Sequence, residues 1–365
     1  MKYLFVMTTS SNVINFRADL IRFLIEKGHE VSVIAHDYER KGDVLNLGVS
    51  AFYCAKQNNR SLNPFSILTY QKTLKEIISK EKPDYLFTYQ LKPNVFGTIA
   101  GKKAGVKNVY SFVEGLGDVY VNSGFKWRLI RFVVSRLYKR GFKACKKVFV
   151  LNNDDKDAFL SLKIVQKDKI AVLPGTGVNT ERFTPAPIEK HDDFIMVARM
   201  NKAKGVLEYC KCARRVKALY PNANFNYLGC EGDLKLSDIQ EYIDDKSINY
   251  LGEVKDVRPY LNDNAVLVLP SYREGMPVSV MEAQSSGRAV LVTACPGSKD
   301  TVKDGFNGFL VPIKDVDALV EKATYFINNP NAVKEMGANA REFALVNFDC
   351  KRINNLIYSL TNANA

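Results

Sequence analysis

Short apolar runs alternate with longer stretches of helical periodicity along most of the chain. KYLFVM (2–7), VSVIA (31–35), YLFTY (85–89), VYSFV (109–113), VFVLN (148–152) and IAVLP (170–174) read as buried strands with helical patterns between them. After TPAPIEKHDD (184–193) the alternation resumes with FIMVAR (194–199), FNYLG (225–229), INYLG (248–252), AVLVLP (265–270), AVLVTA (289–294) and GFLVP (308–312). The Pro-containing, charged stretch predicts a linker. The pattern therefore predicts an α/β protein of two doubly wound domains, residues 1–184 and 185–347, facing a central cleft. The terminal segment 348–365 contains FDCKRINNLIYSL (348–360), which predicts a helix crossing back to the first domain.

A length of 365 residues agrees with two cores rather than one. No run of 18 or more apolar residues suggests a membrane span. The apolar start of MKYLFVMTTSSN is too short for a signal-peptide core and reads as a first strand. Seven scattered cysteines, of which only Cys210 and Cys212 are close, with three histidines, make a poor metal site and suggest buried thiols in a reducing compartment. The net charge of +13 is unevenly placed: residues 1–184 carry 30 Lys+Arg against 16 Asp+Glu, and the remainder 22 against 23. The excess in the first half predicts an anionic partner for that half.

In parallel sheets ligands gather beyond the C-terminal strand ends. After FIMVAR stands 199-RMNKAKG-205, with Arg199 at the strand end, Lys204 five positions on, and Gly205 opening a helix. Two cations at a helix N-terminus form a diphosphate clamp, because free amides and the helix dipole add to the point charges. After AVLVLP stands 271-SYREGMPVSVMEAQSSG-287. Pro277 suits the first helical turn, which puts Glu274 in the loop and Glu282 inside the helix. Gly275 lets backbone approach a ligand, and the amides near Met276 and Val278 face outward at the helix start.

R-x4-K-G followed by E-G-M-P-x4-E-A resembles the nucleotide-sugar half of the GT4 family of retaining glycosyltransferases, as do YLGEVKDVRPYLNDNAVLVLPS (250–271) and DGFNGFLVP (304–312). The resemblance covers nearly the whole chain and implies the GT-B fold, two Rossmann-like domains, and a UDP-sugar donor. It implies that Arg199 and Lys204 hold the donor diphosphate, Glu274 the transferred sugar, and Glu282 the ribose. Backbone around Leu251 to Val254 would face the base. No metal cofactor is expected, since fixed cations can neutralise charge on the departing diphosphate. In such a retaining reaction the acceptor hydroxyl is expected to attack from the face the nucleotide leaves, a donor phosphate oxygen taking the proton; the less favoured alternative is double displacement, for which Glu274 is the candidate nucleophile.

The N-terminal half departs from the commonest family pattern. TTSSNVINFR (8–17) has no glycine, and TYQLKPNVFG (88–97) has no histidine. EGLGDVYVNSGFK (114–126) and RSLNPF (60–65) resemble instead a subgroup acting in bacterial N-linked glycan assembly. That subgroup adds N-acetylgalactosamine, α-1,3-linked, to undecaprenyl-diphosphate-linked N,N'-diacetylbacillosamine. The alternative is a transferase of O-antigen, capsule or lipooligosaccharide assembly using another UDP-sugar. Ser11, Asn12, Arg17, Lys92, Asn94, Gly115 and Gly117 are the acceptor candidates, with Glu114 at the base of the glycine loop and counted with the catalytic set. Lys92-Pro93-Asn94 also reads as a helix start capped by Asn94.

KWRLIRFVVSRLYKRGFKACKK (126–147) contains nine cations and no acid. At 100° per residue, Trp127, Leu129, Ile130, Val133, Val134, Leu137 and Tyr138 share one face. Arg128, Arg136, Lys139, Arg140, Lys143, Lys146 and Lys147 gather on the other, with Phe132 among them. A basic amphipathic helix with an aromatic on its charged side predicts binding to an anionic membrane surface. The protein is thus expected at the cytoplasmic face of the bacterial inner membrane, peripherally, with a polyprenyl-diphosphate-linked glycan as acceptor. Other classes fit less well. Asp155-Lys156-Asp157 and Asp315-Val316-Asp317 match the metal-binding D-x-D of GT-A transferases but lie at expected helix starts. No G-x-G-x-x-G follows the first strand, against a dinucleotide enzyme. Aromatics are not interleaved with the cations as a stacking platform requires, so no nucleic-acid partner is expected.

Overall fold

The computed structural model describes residues 1–57, 63–121 and 124–362. They form two compact units: Met1–Thr176 together with the C-terminal segment from Cys350, and Gly177–Asp349. The motif residues 60–62 and 122–123 lie outside the described residues.

In the first unit β1 (Lys2–Val6), β2 (Glu30–Ala35), β3 (Ala51–Cys54), β4 (Tyr85–Tyr89), β5 (Asn108–Val113), β6 (Lys147–Val150) and β7 (Ile170–Val172) make one sheet. Its order is β3-β2-β1-β4-β5-β6-β7 and every pairing is parallel. The apolar pattern did not announce β3, because AFYC is only four residues long and partly exposed throughout, at the sheet edge. Strand alternation sorts the side chains by face. Tyr3, Phe5, Phe87, Tyr89, Tyr110, Phe112 and Phe149 form an aromatic ladder on one, with Tyr89 and Phe149 stacked on Phe112 at 4.6 and 4.9 Å. Leu4, Val6, Leu86, Val109, Val113 and Val148 enter the aliphatic core on the other. The helix Cys350–Asn362 belongs to this unit: its Tyr358 hydroxyl lies 3.1 Å from His29 Nε2, and Tyr110 donates to the Thr361 carbonyl at 2.8 Å.

The second unit holds β8 (Asp193–Val197), β9 (Asn224–Leu228), β10 (Asn249–Gly252), β11 (Val266–Leu269), β12 (Ala289–Thr293) and β13 (Gly308–Val311). Their order is β10-β9-β8-β11-β12-β13, again all parallel. In both sheets the winding reverses once, between β1 and β4 and between β8 and β11, and ligand sites form at such switch points.

The domain boundary falls earlier than the composition suggested. Residues 177–184 belong to the second unit because the Val178 amide donates to the Phe348 carbonyl at 2.8 Å. Arg341 also donates to the carbonyls of Thr180 and Phe183, at 3.0 and 2.8 Å. All seven cysteines are free thiols, and Cys54 and Cys230 are partly exposed rather than buried. Among the described residues no helix is long and apolar enough to cross a membrane.

Candidate active site

In the second unit the two motif turns, one after β8 and one after β11, are laced together. The Tyr272 amide donates to the Ala203 carbonyl at 2.8 Å. Gly205 has φ +74°, and a Cβ there would come within 2.1 Å of the Pro270 carbonyl oxygen, so only glycine lets the first turn sit against the end of β11. Lys204 Nζ consequently reaches both carboxylate oxygens of Glu274, at 2.7 and 2.8 Å. The Ser271 hydroxyl donates to the same carboxylate at 2.7 Å. Beneath the turn the Glu274 amide donates to the Pro296 carbonyl at 3.0 Å, and Gly297 lies where a Cβ would meet the Glu274 carbonyl oxygen at 2.5 Å. Sequence reasoning missed Ser271, Pro296 and Gly297; their only local signal was position after a strand.

Arg199 is exposed; its carbonyl accepts from the Asn201 amide at 2.7 Å, and its side chain has no hydrogen-bond or ion-pair partner among the described residues. Pro277 stands just before the helix Val278–Ser285, with φ −71° and ψ 115°, rather than inside its first turn. That helix start has no side-chain cap, which leaves its first amides for a ligand. Met276 is buried beside it, and Gly275 lies in the preceding turn. Leu251 is exposed at the end of edge strand β10, and Val254 is partly exposed just beyond it.

Glu282 is largely enclosed within the helix, and burial pushes its carboxyl up to about 8; Arg182 opposes the rise and Asp256 adds to it. A carboxyl whose folded pKa is raised contributes stability below the unfolded value near 4.5 and loses it as pH climbs through about 8. Glu282→Gln should therefore flatten the pH dependence of the melting temperature between pH 5 and 9. Parallel slopes for variant and wild type would remove the buried acid from the argument.

In the first unit a polar chain runs across the β1/β4 switch point. Gln90 Oε1 accepts from the Thr8 amide at 3.2 Å and from its hydroxyl at 3.3 Å, while Nε2 donates to Glu114 Oε2 at 2.5 Å. Arg17 pairs with Glu114 Oε1 and lies 4.4 Å over the Tyr89 ring. Gln90, Leu91, Glu114, Gly115, Gly117 and Val119 line a cavity of about 320 Å³. Gly115 and Gly117 both have positive φ, as a tight loop beside it requires. Ser11 and Asn12 are partly exposed in the first turn of the helix Ser10–Glu26, and Asn12 donates to the Thr8 hydroxyl at 2.9 Å.

Three acceptor candidates are buried rather than open, although Asn94 still lines that cavity. Arg17 is 3% exposed and holds Glu114. Asn94 is fully buried and caps nothing: its Oδ1 accepts from the Thr88 hydroxyl and its Nδ2 donates to the Phe112 carbonyl, both at 2.8 Å. It lies in a π-helical turn, Pro93–Gly97, that continues into the helix Thr98–Lys103. Lys92 is also buried, and desolvation lowers its pKa.

The basic helix spans Phe125–Phe142, so Lys146 lies beyond it and Lys147 opens β6. It buries Val134, Tyr138, Gly141 and Phe142. Gly141 crosses the π-turn so closely that a Cβ would meet the Asn94 carbonyl oxygen at 2.8 Å. The shared apolar face is buried only toward the C-terminus: Leu129 and Val133 are exposed, as are Phe125 and Phe132. Trp127 is partly exposed. Arg128, Phe132, Arg136, Lys139, Arg140 and Lys143 line a groove of about 840 Å³, with Arg136 stacked 4.4 Å over Phe132. The D-x-D pairs do sit at helix starts: Asp315 caps the helix Val316–Asn328, and Asp155 lies in the first turn of Asn153–Ser161.

The architecture and site can be set beside known proteins. The family model described as Glycosyltransferase Family 4 matches residues 16–182, and that described as Glycosyl transferases group 1 matches 178–343. The N,N'-diacetylbacillosaminyl-diphospho-undecaprenol alpha-1,3-N-acetylgalactosaminyltransferase of Campylobacter jejuni is 29% identical, covering 93% of each chain. The UDP-Gal:alpha-D-GlcNAc-diphosphoundecaprenol alpha-1,3-galactosyltransferase of Escherichia coli is 28% identical, covering 90% of this chain and 87% of the relative. Among solved structures, Anabaena HepE in complex with UDP-glucose superposes with a TM-score of 0.83 at 15% identity over 100% of both chains. A glycosyltransferase from Rickettsia africae superposes at 0.78 with 21% identity, also over 100% of both. With the two family models tiling residues 16–343 and both sheets wound alike, the chain belongs to glycosyltransferase family 4 and has the GT-B fold.

Proposed function

We propose that this enzyme transfers N-acetylgalactosamine from its UDP-sugar, with retention, onto undecaprenyl-diphosphate-linked N,N'-diacetylbacillosamine, forming an α-1,3 linkage during N-linked glycan assembly. The observation that carries the reading is the near-full-length likeness to the Campylobacter transferase of that activity. The donor machinery of the second unit supports it. Arg199 and Lys204 take the diphosphate, and their fixed charges stabilise the negative charge that builds as it departs. Glu274, held by Lys204 and Ser271, accepts from hydroxyls of the transferred sugar, and Glu282 from those of the ribose. The amides from Met276 to Val278 add donors at the helix start, with Gly275 and Pro277 shaping the turn. Backbone from Leu251 to Val254 borders the base.

The first unit takes the acceptor beside Glu114, Gly115 and Gly117, with Ser11 and Asn12 at the neighbouring helix start. The exposed cations and aromatics of Phe125–Phe142 rest on the anionic cytoplasmic face of the inner membrane. Trp127 and Arg128 extend that surface.

A donor panel tests the reading: UDP-N-acetylgalactosamine, UDP-N-acetylglucosamine and UDP-galactose against a polyprenyl-diphosphate-bacillosamine acceptor, each with and without EDTA. Transfer from the first, undiminished by EDTA, is the expected result. A preference for UDP-galactose with a GlcNAc-diphosphate lipid would favour instead the activity of the Escherichia coli relative. Glu282→Ala should raise the donor KM more than it lowers turnover, and an unchanged KM would remove the ribose role.

A further inference from the structure

Gln90 combines two features that no other described residue shares: a left-handed backbone and a side chain bridging two strand ends at a switch point. Its φ is +63°, an arrangement that costs free energy for any residue with a Cβ. The other described non-glycine residues with positive φ are Lys82, Lys163, Lys246 and Lys314, all exposed. Gln90 instead directly follows β4 and is partly buried, and its carbonyl accepts the Asn94 amide of the π-turn at 3.0 Å. That conformation directs its amide sideways, so that one end meets Thr8 after β1 and the other meets Glu114 after β5.

Glu114 is thereby gripped on both oxygens, by Gln90 on Oε2 and by Arg17 on Oε1. An ionised carboxylate has about four acceptor positions on its two oxygens, so this grip leaves positions open. The carboxylate is 21% exposed and belongs to the cavity wall with Gly115 and Gly117. The cavity of about 320 Å³ lies at the small end of small-molecule sites. A neutral amide suits this place: it donates to Glu114 without adding a charge that would compete with Arg17 or repel the carboxylate.

We propose that Gln90 is a positioning residue that aims the Glu114 carboxylate at a hydroxyl of the acceptor sugar. It acts through Glu114, and its left-handed backbone is retained because no extended residue there would reach both Thr8 and Glu114. The proposal rests on the transferase reading above and assigns the hydroxyl-bearing acceptor, not the donor, to this cavity.

Two variants of the full-length protein test it, each assayed for acceptor kcat/KM, donor KM and thermal melting. Gln90→Asn keeps a residue type that tolerates positive φ but is one methylene shorter. It should lower acceptor kcat/KM about 10- to 100-fold, as loss of a hydrogen bond to a charged group does, and leave donor KM unchanged. Gln90→Glu places two carboxyls in contact, which together hold one proton above the usual carboxylate range. While that proton is present its O–H replaces the amide N–H, so the variant should work at low pH and fail as pH rises through the pair's titration. Wild type should show no such loss over the same window. Acceptor kcat/KM within twofold of wild type for Gln90→Asn, or a Gln90→Glu profile parallel to wild type, would overturn the proposal. A wild-type enzyme that hydrolyses UDP-sugar but glycosylates no polyprenyl-diphosphate acceptor would defeat the transferase reading instead.

Discussion

Arg199→Ala and Lys204→Ala should each lower turnover by about 10²- to 10³-fold, the usual loss when one fixed group facing developing charge is removed. The two variants should differ in stability, and that difference separates catalysis from folding. The Arg199 side chain is exposed and has no partner among the described residues, so its loss should leave the melting temperature close to wild type. Lys204 is 30% exposed and paired with the buried Glu274 carboxylate. Removing it takes a cation from an enclosed anion, so Lys204→Ala should melt lower as well. Lys204→Arg keeps the charge but brings a planar fork into a place filled by a compact ammonium, and should recover stability better than turnover. Single-turnover rates with saturating donor, read beside thermal melts, make the comparison. Near-wild-type rates for both alanine variants would eliminate the diphosphate clamp.

Reversing charge at Lys139, Arg140 and Lys143 should release the protein from anionic vesicles. Each cation near an anionic leaflet contributes about 1 kcal/mol, so losing three weakens partitioning about 100-fold before the added repulsion is counted. All three side chains are exposed and unpaired among the described residues, so folding and turnover on a short-chain soluble acceptor should persist. Phe125, Leu129 and Phe132 are exposed on the same helix and would give the proposed attachment an apolar part that salt does not screen. Sedimentation with phosphatidylglycerol vesicles, at low and high salt, is the measurement. Binding of the triple variant equal to wild type would make this helix only structural.

The alternation of apolar runs and helical patterns reveals the two doubly wound units, because strand and helix periods are local properties of the chain. It misses one weakly buried strand and misplaces one boundary. AFYC at β3 is short and half-exposed, and residues 177–184 join the second unit through backbone bonds that composition does not register. Charge placement is equally local, so the basic helix is visible without coordinates.

Which side of that helix is covered is decided elsewhere. Helical spacing places Leu129 and Val133 with Val134 and Tyr138, yet burial begins only where the helix lies against the π-turn and Gly141 permits contact. Asn94 shows the same limit: an amide after Lys-Pro resembles a cap until Thr88 and Phe112 are found beside it.

The residues Arg199, Lys204, Glu274 and Glu282 are legible because their order and spacing follow a family pattern. Their chemistry is not, since Lys204 meets Glu274 only when parallel β8 and β11 bring turns 70 residues apart together, with Gly205 and Gly297 removing the Cβ atoms that would hold them off. The sequence by itself determined the alternation of strands and helices in two units, the charge asymmetry and the motif residues from which the donor site is proposed. Tertiary structure alone decided that Gln90 and Arg17 grip Glu114 and that an apolar stripe stays exposed, because pairing and burial depend on atoms distant along the chain.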